Sequence, residues 1–264
     1  MATIIHITLK GIFRDRVFQG IMVLAVLFLF IPSAASLSMR QMTELTTTLS
    51  LSLISFIMLL LAVFLGATSI WKDIERRYTF SVLSLPISRT TYLWGRFFGI
   101  ALFMLMTTVF LGAMALIAIK AATFGYPPSR PVVWSTIIVT ILFDALKYIL
   151  VVAVAMLLAT VSTSFFLPVF GAISVFLAGT ATQPVYDYLQ TPSVQAAVSV
   201  IVRKAAETLY YLLPNLSGFD LKVHAIYSIP FNVQGLILTS IYFAGYTLII
   251  LSIGSFLFAW REMK

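Results

Sequence analysis

Charged residues vanish from this chain for long stretches. The uncharged runs are Val17–Met39, Leu45–Trp71, Phe97–Ile119, Tyr148–Tyr186 and Val223–Trp260. A helix rising about 1.5 Å per residue needs about 20 mainly apolar residues to cross the hydrocarbon of a bilayer. The first three runs suit one crossing each. Tyr148–Tyr186 is too long for one, and it is interrupted by polar Thr160-Val161-Ser162-Thr163-Ser164 with Pro168 behind it. Splitting the run there, and extending its first half upstream through Asp144 and Lys147, predicts six helices near 17–38, 47–72, 94–120, 133–160, 165–185 and 236–260. Val17 to Met39 is long enough to span, so we read it as a first transmembrane helix rather than a cleaved leader.

The segments between these helices have patterns of their own. In residues 1–16, apolar Ile4, Ile5, Leu9, Ile12 and Phe13 alternate with basic side chains, as in a helix lying in the membrane interface. Residues 73–93 form a short charged link. Residues 186–235 are longer, and carry Val194, Val198, Ile201, Ala205, Leu209 and Leu212 at helical spacing. There Thr191 is placed to cap a helix, Pro192 to occupy its first position and Pro214 to end it. The expectation is one amphipathic helix, packed on the membrane domain or embedded in the interface.

Composition sharpens the class. The 264 residues are 61% hydrophobic and 10% charged, against about 25% charged in soluble domains. That is too little charge to coat a water-facing surface, so the outside faces lipid. One transmembrane domain over residues 1–264 is expected. The net charge of +8 lies beside the apolar runs, where it reads as membrane topology and not as a nucleic-acid surface. With the N-terminus cytoplasmic, Lys10, Arg14, Arg16, Lys72, Arg76, Arg77, Arg89, Arg96, Arg261 and Lys264 lie inside. Arg40, Lys120, Arg130, Arg203, Lys204 and Lys222 lie outside. The inside set occupies the shorter segments, so both ends are expected in the cytoplasm. Cysteine is absent, which excludes disulfides and thiolate ligands.

Enzyme motifs are missing. Without a Gly-Lys dipeptide there is no Walker A loop to cradle phosphates, and neither His-Glu-x-x-His nor Gly-x-Ser-x-Gly occurs. No cofactor, metal site or catalytic residue is expected in this chain. Asp144 and Lys147, at i and i+3 on one helix, are placed to pair. Each costs about 2.5–3.5 kcal/mol at a bilayer centre, so neither should face lipid. They read as the lining of a pathway or a subunit interface, or as an internal pair that fixes packing. Gly95 and Gly99 form a small-xxx-small step for close helix approach. Aromatic residues such as Tyr92, Trp94, Trp134, Tyr210, Tyr211 and Trp260 read as interfacial anchors.

The most informative stretch runs from Trp71 to Gly99. Helix two should end before Pro86, and Ser88 should cap the next helix. Between them Ile74, Phe80, Leu83 and Leu85 are apolar without a lipid to meet. Glu75, Thr79, Leu83-Ser84, Pro86-Ile87-Ser88-Arg89, Tyr92 and Gly95-Arg96 stand in an order that resembles the coupling region of the type-2 ABC exporter permeases. Tyr78 replaces the usual glycine before the threonine, and Arg96 the usual lysine. Arg14-Asp15-Arg16 and Leu212-Leu213-Pro214-Asn215-Leu216 are similar to the end of that family's connecting helix and to its outer segment. The resemblance implies a permease subunit in the cytoplasmic membrane that works as a homodimer or heterodimer. It also implies a separate ABC ATPase subunit, holding the ATP and Mg, seated on Glu75, Arg76, Arg77, Thr79, Phe80, Leu83, Pro86, Ser88 and Arg89. The substrate stays open, and a secondary transporter or channel using Asp144 and Lys147 is the alternative.

Overall fold

A computed structural model describes residues 1–28, 30, 42–75, 88–125, 128, 130–195 and 198–261 of the protein. The described residues form helices α1 (Ala2–Arg14), α2 (Arg16–Phe28), α3 (Met42–Glu75), α4 (Arg89–Gly125) and α5 (Trp134–Val161). They continue as α6 (Phe166–Leu189), α7 (Pro192–Gln195), α8 (Val200–Leu212), α9 (Lys222–Tyr227) and α10 (Val233–Trp260). No strand occurs among the described residues. Five helices, α3, α4, α5, α6 and α10, are long and apolar enough to cross a membrane, which makes this an all-α, multi-pass membrane protein. The expected first crossing, 17–38, begins as α2, and its remainder lies almost wholly outside the described residues.

Each long helix falls where the apolar pattern put it, with ends displaced by a few residues. α3 starts at Met42 and not near 47, because the hydroxyls of Thr46, Thr47 and Thr48 donate to the carbonyls of Met42, Thr43 and Glu44. A polar opening turn is thereby made compatible with helix. α4 starts at Arg89 and not at 94. Ser88 caps it as expected, its Oγ accepting from the Thr91 amide at 3.2 Å. The polar notch at 162–164 separates α5 from α6, with the Ser162 amide closing α5 on the Leu158 carbonyl at 3.0 Å.

α5 is the central helix. In its most apolar stretch 78% of the residues are buried, against 17% for the peripheral α10. Its Ala153, Ala155 and Ala159 are fully buried, and α3 comes close enough that a Cβ at Gly66 would sit 2.6 Å from that of Ala155. With no water to expel in the membrane, such close backbone approach supplies the dispersion that holds helices together.

The segment after α6 departs from the expected single helix. Pro192 does open a helix, α7, described over Pro192–Gln195. The Thr191 hydroxyl donates back to the Tyr188 carbonyl. Ser199, in extended conformation, caps the separate α8. The apolar stripe is not packed on the domain: Ile201, Leu209 and Leu212 are 81%, 49% and 68% exposed.

After α8 the chain turns into the bundle. Pro214 ends the helix as expected, and its carbonyl oxygen would lie 2.5 Å from a Cβ at Gly179, so α6 needs glycine there. The Leu216 amide donates to the Gly179 carbonyl at 3.0 Å, and Leu216 and Phe219 are fully buried. α9 follows, closed by Ser228 in the left-handed region (φ 56°) whose hydroxyl donates to the Pro131 carbonyl at 2.7 Å.

Candidate functional site

Two polar centres interrupt this apolar bundle. The first grows from α5, where Thr136, Thr140, Asp144, Lys147 and Tyr148 are all buried along one face. Lys147 Nζ lies 2.8 Å from Asp144 Oδ1, and the two side chains are only 3% and 6% exposed. The expected pair is therefore formed. Ser55 of α3 places its hydroxyl 2.5 Å from Asp144 Oδ2 and 2.9 Å from the Leu51 carbonyl. Its single proton goes to the carboxylate, the stronger acceptor. Lys147 also lies 4.9 Å from the ring centre of Tyr148.

Sequence reasoning missed the third charge. Asp220, in the segment that dips into the bundle, brings Oδ2 to 3.9 Å from Lys147 Nζ while staying 45% exposed. Beside it Thr140 donates to the Leu221 carbonyl at 3.1 Å across 81 residues of sequence. Two carboxylates thus face one ammonium. Ser55 and Asp220 contact α5 only through tertiary packing, so no local pattern marks them. Chemically the arrangement ties α3 to α5 through charge-assisted hydrogen bonding at Asp144, and the inserted segment to α5 through the Thr140 hydroxyl and the longer Lys147–Asp220 ion pair.

The second centre is the end of the bundle that flanks residues 76–87. Lys72 Nζ on α3 meets Asp15 Oδ2, between α1 and α2, at 2.5 Å. Asp73 accepts from both Tyr92 and Arg96 of α4, and the Arg96 guanidinium lies 5.5 Å from the Tyr92 ring centre. The Tyr-x-x-Gly-basic step thus has a physical reason. Tyr92 and Arg96 fasten the end of α3, and Gly95 between them seats α1. A Cβ at Gly95 would come 2.8 Å from Ile4 Cγ2, and one at Gly99 2.7 Å from Thr8 Cβ. The small-xxx-small step therefore receives the N-terminal helix.

Two arginines close helix ends in sequence. Arg89 Nη1 donates to the carbonyls of Phe258, Ala259 and Arg261 at 3.3, 3.0 and 2.9 Å. Arg261 donates to those of Ala159, Thr160 and Ser162 at 3.3, 2.6 and 2.8 Å. Carbonyls at a helix C-terminus lack intrahelical donors and carry the negative end of the dipole, so a guanidinium satisfies both needs. Burial among them lowers the pKa of Arg261 from its usual value. Arg89, expected on the rim of a partner contact, has its Nη1 committed inside the molecule.

Of the other residues expected to couple to a partner, Ser88 caps α4, and Glu75 is the last residue of α3. Arg76, Arg77, Thr79, Phe80, Leu83 and Pro86 lie outside the described residues, as does the side chain of Glu75. Among the described residues no cluster of His, Asp or Glu is placed to hold a metal ion. The sequence matches no known family model and no curated protein.

Proposed function

We propose that this chain is the transmembrane permease subunit of an ATP-driven ABC exporter in the cytoplasmic membrane. It dimerises to form the translocation pathway, and a separate ATPase subunit docks on the link between α3 and α4. Both termini and residues 73–93 are cytoplasmic, and 186–235 is outside. The observation that carries this reading is the ordered run from Glu75 to Arg96, whose flanking residues brace the two helix ends bordering the link. Lys72, Asp73, Ser88, Tyr92 and Arg96 are all engaged there. A lever needs rigid arms: a force applied at 76–87 would pass into α3 and α4, and through Arg89 and Arg261 into α10 and α5. α1, clasped on α4 and tied through Asp15 to α3, would move with them.

The alternative, an ion or proton path through Asp144 and Lys147, finds less support. A carrier group has to change partners, whereas Lys147 is paired with Asp144, flanked by Asp220 and 3% exposed. The test is co-purification. The full chain, isolated from its native membrane, should bring a stoichiometric ATPase. Phe80→Ala with Leu83→Ala should release that ATPase, since buried anchors cost about 2 kcal/mol or more when truncated, roughly thirtyfold in affinity. The permease should stay folded. Full retention of the ATPase by the double variant would place the docking site elsewhere.

A further inference from the structure

One cleft has no part in either polar centre. It encloses about 570 Å³ between the end of α8, the inserted segment and the first turns of α10. Its walls are Tyr210, Tyr211, Phe219, Tyr242 and Tyr246, with Asn215, Gly218, Leu238 and Thr239 completing the lining, and no charged residue is among them. The rings buttress one another. Tyr210 stacks on Tyr186 at 4.4 Å between centres, meets Tyr211 edge-on at 5.3 Å, and Tyr242 lies 5.5 Å from Tyr246.

Several polar atoms of the lining are already engaged. The Tyr246 hydroxyl donates to the Leu212 carbonyl at 2.8 Å, and that of Tyr242 accepts the Asn215 amide at 2.8 Å. The Asn215 side chain donates to Gln183 and accepts from Ser217, both at 2.8 Å. A sugar ring would need these groups for its hydroxyls. What distinguishes the cleft is its set of four tyrosine rings, a ring type whose electron-rich face attracts a poorly hydrated cation.

We propose that this cleft binds a quaternary ammonium group, by the ring faces of Tyr210, Tyr211, Tyr242 and Tyr246. The group can belong to a lipid headgroup, since the cleft adjoins the exposed α8 and the start of a membrane-spanning helix, or to a free alkylammonium solute. This site stands independently of the ATPase reading and fails or survives without it.

The test uses the full chain in a polyoxyethylene detergent, which carries neither choline nor sugar. Saturation-transfer NMR then follows the N-methyl protons of tetramethylammonium and choline. Both should bind, and 3,3-dimethylbutan-1-ol, the neutral isostere of choline, should not. Tyr242→Phe keeps the ring and should keep binding, whereas Tyr242→Leu should weaken it roughly tenfold. Gly218→Leu adds a side chain where a Cβ meets nothing within 4 Å, so it should obstruct the cleft while the thermal midpoint stays unchanged. Competition by short-chain phosphatidylcholine assigns the site to a lipid headgroup, and failure to compete assigns it to a free cation. Both outcomes keep the ammonium site. Equal binding of the neutral isostere, or loss of binding in Tyr242→Phe, overturns it.

Discussion

Lys147→Met and Asp144→Asn remove opposite ends of one contact, yet they should not cost the same. Losing the lysine leaves the Asp144 carboxylate buried with only Ser55 on Oδ2, and breaking a buried pair this way costs about 3–5 kcal/mol. Losing the carboxylate leaves Lys147 with Asp220 at 3.9 Å, a partial replacement, so the cost should be smaller. Asp220→Asn acts on a side chain that is 45% exposed and should cost less than about 1 kcal/mol. Denaturation midpoints of the purified chain give this order directly. The double variant Asp144→Asn with Lys147→Met should recover most of the loss if the pair serves packing. A double variant that folds fully and transports nothing would assign the charges to the pathway instead. At this scale the sequence was informative about the pair, because i, i+3 spacing is local. It was silent about Ser55, 89 residues from its carboxylate, and about Asp220.

Among the elements, α1 offers the sharpest test. It lies on α4 through Ile4 over Gly95 and Thr8 over Gly99. Gly95→Ala would put a methyl 2.8–2.9 Å from Ile4 Cγ2 and Cβ, and overpacking of this kind costs about 1–3 kcal/mol. Ile4→Ala made together with it should return much of that loss, measured as the non-additive part of a double-mutant cycle. Strict additivity would mean that the helices do not meet there. α8 makes a different case. Ile201, Ala205, Leu209 and Leu212 form an exposed apolar face with Arg203, Lys204 and Glu207 turned away from it. An environment-sensitive dye at position 209 should report a low-polarity setting in vesicles, as for a helix lying in the interface. A fully aqueous signal would exclude that placement. The apolar periodicity identified this face correctly but could not say what covers it, since a bilayer and a protein core are equally apolar. The break at Ser199 was hidden for a related reason: this residue reads as one more polar position in a helical stripe until its extended backbone is seen.

The molecule as a whole has a polarity that labelling can read. The chain has no cysteine, so a single one introduced at position 82 should resist impermeant reagents in sealed cells, while one at Tyr211, 70% exposed, should react. Labelling at 82 from outside would invert the orientation. The five long apolar helices were legible because apolar run length is a property of the sequence alone; how they are sewn together was not, because Arg89, Arg261 and Asp73 act between distant ends. The inserted segment carries this to the protein's manufacture. Gly179 lies about 15 Å inside the end of α6, and Lys147 is near the middle of α5. The Pro214–Leu221 backbone beside them is not regular α-helix, and such backbone survives at membrane depth only when protein surrounds it. It cannot be delivered there by the insertion machinery as a lipid-facing span. α3, α5 and α6 have to be in place first, so the stitch at Lys147 and Gly179 belongs to the late steps of biogenesis, after the neighbouring helices have left the translocon and closed around the space it fills.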